Sequence, residues 1–204
     1  MFERGVEEMQ AEMLNKLLKV NNGQVTRQQV EQSGIDPHLL STLTRDGRLE
    51  RVDRGVYIDP AIFEDDMYIL QYRFSKGIFF KDTALYLHHM IDRTPGMYEM
   101  SFPQNYHPTV IDRYPVKVYR QKLEWQELGV EEVLSPGQHL VRTYNIERTL
   151  CDILRTRDAS DAETIKQAMV SFSKIKNKKL HRLSGHADIF KVKDKIRAYM
   201  EVLL

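Results

Sequence analysis

The chain has 204 residues, enough for one ordinary domain or two small ones, and its 30 Lys and Arg against 29 Asp and Glu leave a net charge of +1. That balance excludes a protein that coats nucleic acid by charge alone, so any nucleic-acid surface must be a local patch. A single cysteine, Cys151, excludes an intramolecular disulfide and a multi-cysteine zinc site, and suits a reducing cytosol.

The first residues, MFERGVEEMQ, are acidic and helix-forming, unlike a signal peptide, and apolar runs stop at three or four residues, too short to span a membrane. A cytoplasmic protein with no membrane partner is expected. A first helix is predicted from about Glu3 to Val20, with Met9, Met13 and Leu17 on one stripe and Leu14 and Leu18 beside it. Asn21-Asn22-Gly23 ends it.

From Gln24 to Pro60 the pattern is that of a winged helix-turn-helix. Thr26 can cap a short helix, because its hydroxyl accepts from a free amide of the first turn. Gly34 breaks that helix, and Asp36-Pro37 starts the next, with proline where a missing N–H costs nothing. In the helix from Pro37 to Asp46, Leu39, Leu40 and Leu43 share one face. At about 100° per residue, His38, Ser41, Thr42 and Arg45 take the opposite one. Gly47 stops the helix. Leu49–Val52 and Val56–Ile58 then read as two strands around Asp53-Arg54-Gly55, a tight loop with glycine where positive φ is needed. A hairpin directly after a recognition helix is a wing, and it carries Arg48, Arg51 and Arg54. The candidate DNA contacts are Thr26, Arg27 and Gln28 on the first short helix, His38, Ser41, Thr42 and Arg45 on the second, and the three wing arginines. Between Gln24 and Arg54, five arginines are balanced by Glu31, Asp36, Asp46, Glu50 and Asp53. A module used only for protein contacts, its arginines solvated, therefore stands beside the DNA-binding reading.

The pattern changes near Ile62, which divides the chain into a winged helix-turn-helix DNA-binding domain at 1–62 and a mixed α/β domain at 63–204. In the second, helices are predicted over Asp65–Phe74 and Lys81–Ile91. Short strands follow at Met97–Phe102, Val116–Arg120, Val130–Leu134 and His139–Thr143. Three helices close the chain. Asn145 caps the first, Ser160-x-x-Glu163 is a capping box for the next, and the last runs from about Lys191 to Leu204. The fold class is α+β: an N-terminal winged helix-turn-helix followed by a mixed α/β C-terminal domain ending in helices.

Catalytic motifs are missing. There is no phosphate-binding loop, dinucleotide-binding glycine pattern, H-E-x-x-H helix or G-x-S-x-G elbow, so no catalytic residue, metal site or cofactor is expected. His88 and His89 are adjacent and point about 100° apart on a helix, which favours one buried and one exposed histidine over a shared metal ion. Cys151 reads as a small buried apolar residue. Arg148 and Asp152 form an i, i+4 pair suited to a helix surface or a domain boundary, and Asp161 and Glu163 suit a helix start.

Basic residues concentrate from Lys174 to Lys195, where eight face only Asp188 and Asp194. Lys174, Lys176, Lys178, Lys179 and Arg182 are either a solvated face or a second contact with phosphates or a docking face for an acidic or RNA partner.

Three strings together carry a resemblance. They are Arg54-Gly-Val-Tyr-Ile-Asp-Pro60; Thr83-Ala-Leu-Tyr-Leu-His-His89 with Asp92-Arg-Thr-Pro95; and Tyr144-Asn-Ile-Glu-Arg-Thr-Leu-Cys-Asp-Ile-Leu-Arg155. Over nearly its whole length the chain resembles the AbiEi antitoxins of bacterial abortive-infection, type IV toxin–antitoxin systems. The resemblance implies a winged-helix domain that represses its own operon at inverted repeats in double-stranded promoter DNA. It also implies a C-terminal domain with antitoxin activity against a nucleotidyltransferase-like toxin, neutralised without a stable direct complex. His89 departs from the pattern, standing where a small residue is expected. Two function classes follow: a non-enzymatic regulator and antitoxin, or an enzyme acting on nucleic acid or on the toxin through the C-terminal domain. A neighbouring nucleotidyltransferase-like reading frame would favour the first.

Overall fold

The structure, a computed structural model, describes residues 2–155 and 159–203. The chain divides into two compact units, residues 1–73 with 134–139, and residues 74–133 with 140–204.

The first unit opens with α1 (Phe2–Val20), β1 (Gln24–Thr26), α2 (Arg27–Gln32), α3 (His38–Arg45), β2 (Glu50–Asp53) and β3 (Val56–Ile58). The strands form one antiparallel sheet in the order β1-β3-β2. This is the winged-helix order of elements, and local sequence signals set each boundary. Thr26 accepts from the Gln29 amide while the Gln29 side chain accepts from the Thr26 amide, a reciprocal cap that fixes the start of α2. The Asp36 carboxylate accepts from the His38 amide at the start of α3. Gly55 turns the wing at φ +80°, and its carbonyl accepts from the Arg27 amide at 2.8 Å, tying the wing turn to the first turn of α2. Leu14, Val25, Val30, Ile35, Leu40, Leu43, Leu49 and Tyr57 form the core.

The buried side of α1 is carried by Leu14, flanked by Leu17 and Leu18. Met9 and Met13, on the stripe next to Leu14, point outward. The unit also extends past the boundary expected at residue 62. It includes α4 (Asp66–Arg73), because the Asp65 amide donates to Gln24 and Tyr68 is hydrogen-bonded with Gln29 and Thr26. The segment 134–139 belongs to the same unit. There Ser135 donates to the Asp65 carboxylate, His139 Nδ1 lies 2.7 Å from the same oxygen, and the Tyr68 ring stacks on His139. Gly137 is required here, since a Cβ would stand 2.6 Å from Asp65.

The second unit is built on a five-stranded mixed sheet of β4 (Ile78–Phe79), β5 (Tyr98–Pro103), β6 (Val116–Gln121), β7 (Val130–Leu134) and β8 (Leu140–Tyr144), in the order β6-β5-β4-β8-β7. β5 and β6 are parallel, as are β4 and β8, while β4 and β5 are antiparallel. Helices α5 (Lys81–Leu87), α6 (Leu123–Gln126), α7 (Ile146–Ile153), α8 (Ala162–Ser173), α9 (Leu180–Ile189) and α10 (Lys193–Leu203) complete it. α5 is shorter than expected, and α9 is a helix the sequence reading left as part of the lysine-rich run. Leu204, the expected last helical residue, lies outside the described residues. The α8 cap is Asp161, whose carboxylate accepts from the Thr164 amide. Ser160, assigned that role from the sequence, donates instead to Asp82.

Arg148 and Asp152 also need correction: both are fully buried rather than at a surface. The Arg148 guanidinium binds Asp152 at 2.6 Å, donates to the Trp125 and Leu128 carbonyls at 2.8 Å, and lies 4.2 Å from the ring centroids of Tyr144 and Phe190. Cys151 beside them is buried in the helical core, and burial pushes its thiol well up.

Candidate nucleic-acid interface

The face of α3 opposite its leucines is open. His38, Ser41 and Arg45 are exposed and follow one another around the outer side, while Leu40 and Leu43 are buried beneath. Thr42 is half-buried, at the edge of a groove between α1 and α3 lined by Glu8, Gln10, His38, Asp46 and Arg48 among others. Arg45 is exposed and forms a long ion pair with Asp46 at 3.8 Å, with both side chains at least half exposed, so solvent screens the pair.

On the wing, Arg48, Arg51 and Arg54 are exposed. Arg51 Nε donates to the Asp53 carbonyl at 3.3 Å, which holds the side chain along the hairpin. The short wing places Arg54 at the turn that is bonded to the α2 start, so Arg27, Gln28 and Arg54 belong to one end of the module. Arg27 is exposed but bridged to Glu31 at 2.8 Å, an intrahelical pair that offsets its charge. Thr26 is buried, and its hydroxyl serves the α2 cap. It leaves the set of candidate DNA contacts.

The basic run separates into two parts. Lys174, Lys176, Lys179 and Arg182 are exposed around the end of α8 and the start of α9, with Lys178 half-buried between them. Towards α10, Lys193 pairs with Asp188 at 3.0 Å and Lys195 donates to the Leu154 carbonyl, so those charges are already engaged.

Among the described residues no three His, Cys, Asp or Glu side chains form a metal-binding group. His88, half of the adjacent pair, donates from Nε2 to the Tyr144 carbonyl at 2.7 Å, and burial lowers its pKa, whereas His89 is exposed. Asp65, Ser135 and His139 bring together the residue types of a hydrolase triad, a grouping invisible in sequence because the partners are 70 and 74 positions apart. The order is wrong for a nucleophile: the carboxylate lies between serine and histidine, and the other ring nitrogen meets the Asn21 carbonyl. All three are buried, and the cluster anchors the 134–139 turn within its own unit.

Residues 12–58 match the family described as transcriptional regulator, AbiEi antitoxin. That span contains the second half of α1 and the whole of the module from β1 to β3. Among solved structures, the RV2827C protein from Mycobacterium tuberculosis shares the fold with a TM-score of 0.56 at 16% identity, over 96% of this chain and 80% of that one. No curated protein matches the chain by sequence. No described helix is long and apolar enough to cross a membrane.

Proposed function

From its N-terminal module, which is that of an AbiEi-type antitoxin regulator, we propose that the protein is a non-enzymatic autorepressor and antitoxin of a type IV toxin–antitoxin system acting in abortive phage infection. It works in the cytoplasm, binding inverted repeats in its own promoter. The observation that carries this reading is the outward polar face of α3, where Ser41 and Arg45 stand exposed beside a wing bearing Arg48, Arg51 and Arg54. Short hydroxyls and a guanidinium on such a helix can read base edges in a major groove, while wing arginines touch the backbone. The second unit carries the antitoxin activity against a nucleotidyltransferase-like toxin, without a stable complex between them. A mobility-shift titration with the DNA upstream of the gene, against random DNA of equal length, tests the first part. Specific retardation at a defined repeat is expected, and equal affinity for both DNAs would remove the regulator reading. Co-expression with the adjacent toxin gene tests the second: the full chain should restore growth.

The exposed lysines around the α8–α9 turn supply phosphate contacts that a module with balanced charge lacks. Each neutralised phosphate contributes about −0.9 to the slope of log affinity against log salt. Replacing Lys174, Lys176, Lys178 and Lys179 with alanine is expected to flatten that slope by roughly two units if half of them reach backbone. Sequence preference should barely move, because phosphate contacts position rather than specify. An unchanged slope would assign the run to solvent.

A further inference from the structure

We propose that α1 pairs antiparallel with α1 of a second copy of the chain through the stripe Val6, Met9, Met13 and Val20. The side of α1 carrying Leu14 is filled by the first unit's core, yet these four side chains remain 49%, 53%, 36% and 80% exposed. At about 100° per residue they fall within a band some 60° wide, centred away from Leu14 and Leu18. Half-buried Leu17 borders the band.

The stripe reads the same in both directions about Met13. Val6 and Val20 are each seven residues from it, and Met9 and Leu17 are each four. A two-fold axis at Met13 therefore sets Val6 against Val20 of the second copy and Met13 against itself, which is the self-complementarity that an isologous interface requires. Charge selects the direction. Glu8 and Glu12 precede Met13 and Lys16 and Lys19 follow it, all exposed and on the same flank of the stripe. Antiparallel pairing places both glutamates against both lysines of the second copy, whereas parallel pairing turns the two charged flanks to opposite sides of the pair, where they cannot meet. The same charge order suits the helix dipole, but the dipole offers no reason for an apolar stripe between the charges.

Packed helices lie about 8–10 Å apart with Cα atoms about 2.3 Å from each axis, so the two Met13 Cα atoms would face each other within disulfide reach. The two Met9 positions would be eight residues apart along the pair, about 12 Å, outside that reach. The pairing stands independently of DNA binding, and its test contains no DNA. Full-length Met13→Cys and Met9→Cys variants are treated with a mild oxidant and run under non-reducing conditions, with the unsubstituted chain, whose Cys151 is buried, as control. Sedimentation of the unsubstituted chain gives its mass over a range of concentrations. Selective cross-linking of Met13→Cys is expected, with a mass rising from 24.0 kDa towards twice that value. Met13→Glu, which sets two carboxylates at the axis, should remain monomeric. Cross-linking of Met9→Cys as readily as Met13→Cys would overturn the antiparallel register. A monomer at every concentration with neither variant cross-linked would overturn the pairing itself.

Discussion

Arg148→Ala is expected to destabilise the second unit by about 3–5 kcal/mol, the range for breaking a buried ion pair from one side. The substitution leaves the Asp152 carboxylate with no described partner but Arg155, at 3.3 Å, and removes the donors that hold the Trp125 and Leu128 carbonyls. It also empties the space between the Tyr144 and Phe190 rings. Against a total stability of about 5–15 kcal/mol, that is a large fraction. The chain's one tryptophan, Trp125, stands edge-on to Phe190 with its ring centroid 5.4 Å away, so its fluorescence reports unfolding of this unit. The denaturation midpoint should fall by roughly 6–20 °C. Arg148→Met with Asp152→Leu removes both charges while keeping volume, and should recover much of the loss, because an apolar replacement of a whole buried pair is often close to neutral. A single variant within 1 kcal/mol of the unsubstituted chain would contradict this account of the network.

The Arg148–Asp152 pair shows where the sequence stops being informative. Its i, i+4 spacing is a local fact and was legible. Its complete burial depends on the Tyr144 and Phe190 rings, which lie on other elements, and nothing in the helix itself announces them. The winged helix was legible for the opposite reason. The Thr26–Gln29 cap, the Asp36–His38 bond and the Gly55 turn each act within a few residues, so their signals sit side by side in the chain. Periodicity identified α1 but not its buried face, because two apolar stripes adjoin there and only the core decides between Leu14 and Met13. α9 was missed because its buried face consists of Leu183, His186 and Ala187 alone, set within a lysine-rich run that reads as a solvated turn. α4 and the 134–139 turn belong to the first unit through Asp65, Ser135 and His139, contacts that no sequence window contains.

On the proposed function α3 reads sequence, and Arg45 is the residue that should carry most of that reading. Its guanidinium is exposed at the last turn of α3, on the side away from Leu40 and Leu43. The side chain is long enough to reach past a neighbouring phosphate, and a guanidinium matches the two acceptors of a guanine edge. Loss of such a bidentate contact costs about 1–3 kcal/mol, or about 5–150-fold in affinity, and only on the sequence that contains the guanine. Arg54, at the wing turn, is expected to behave differently, weakening all DNAs alike as a backbone contact does. The decisive measurement is a titration of the unsubstituted chain and of Arg45→Ala against the promoter repeat and against random DNA, at one fixed salt concentration. A fall in affinity for the repeat with little change for random DNA is the expected result. Equal losses on both DNAs would reduce Arg45 to a phosphate contact, and no loss on either would contradict the assignment of α3 as the recognition helix.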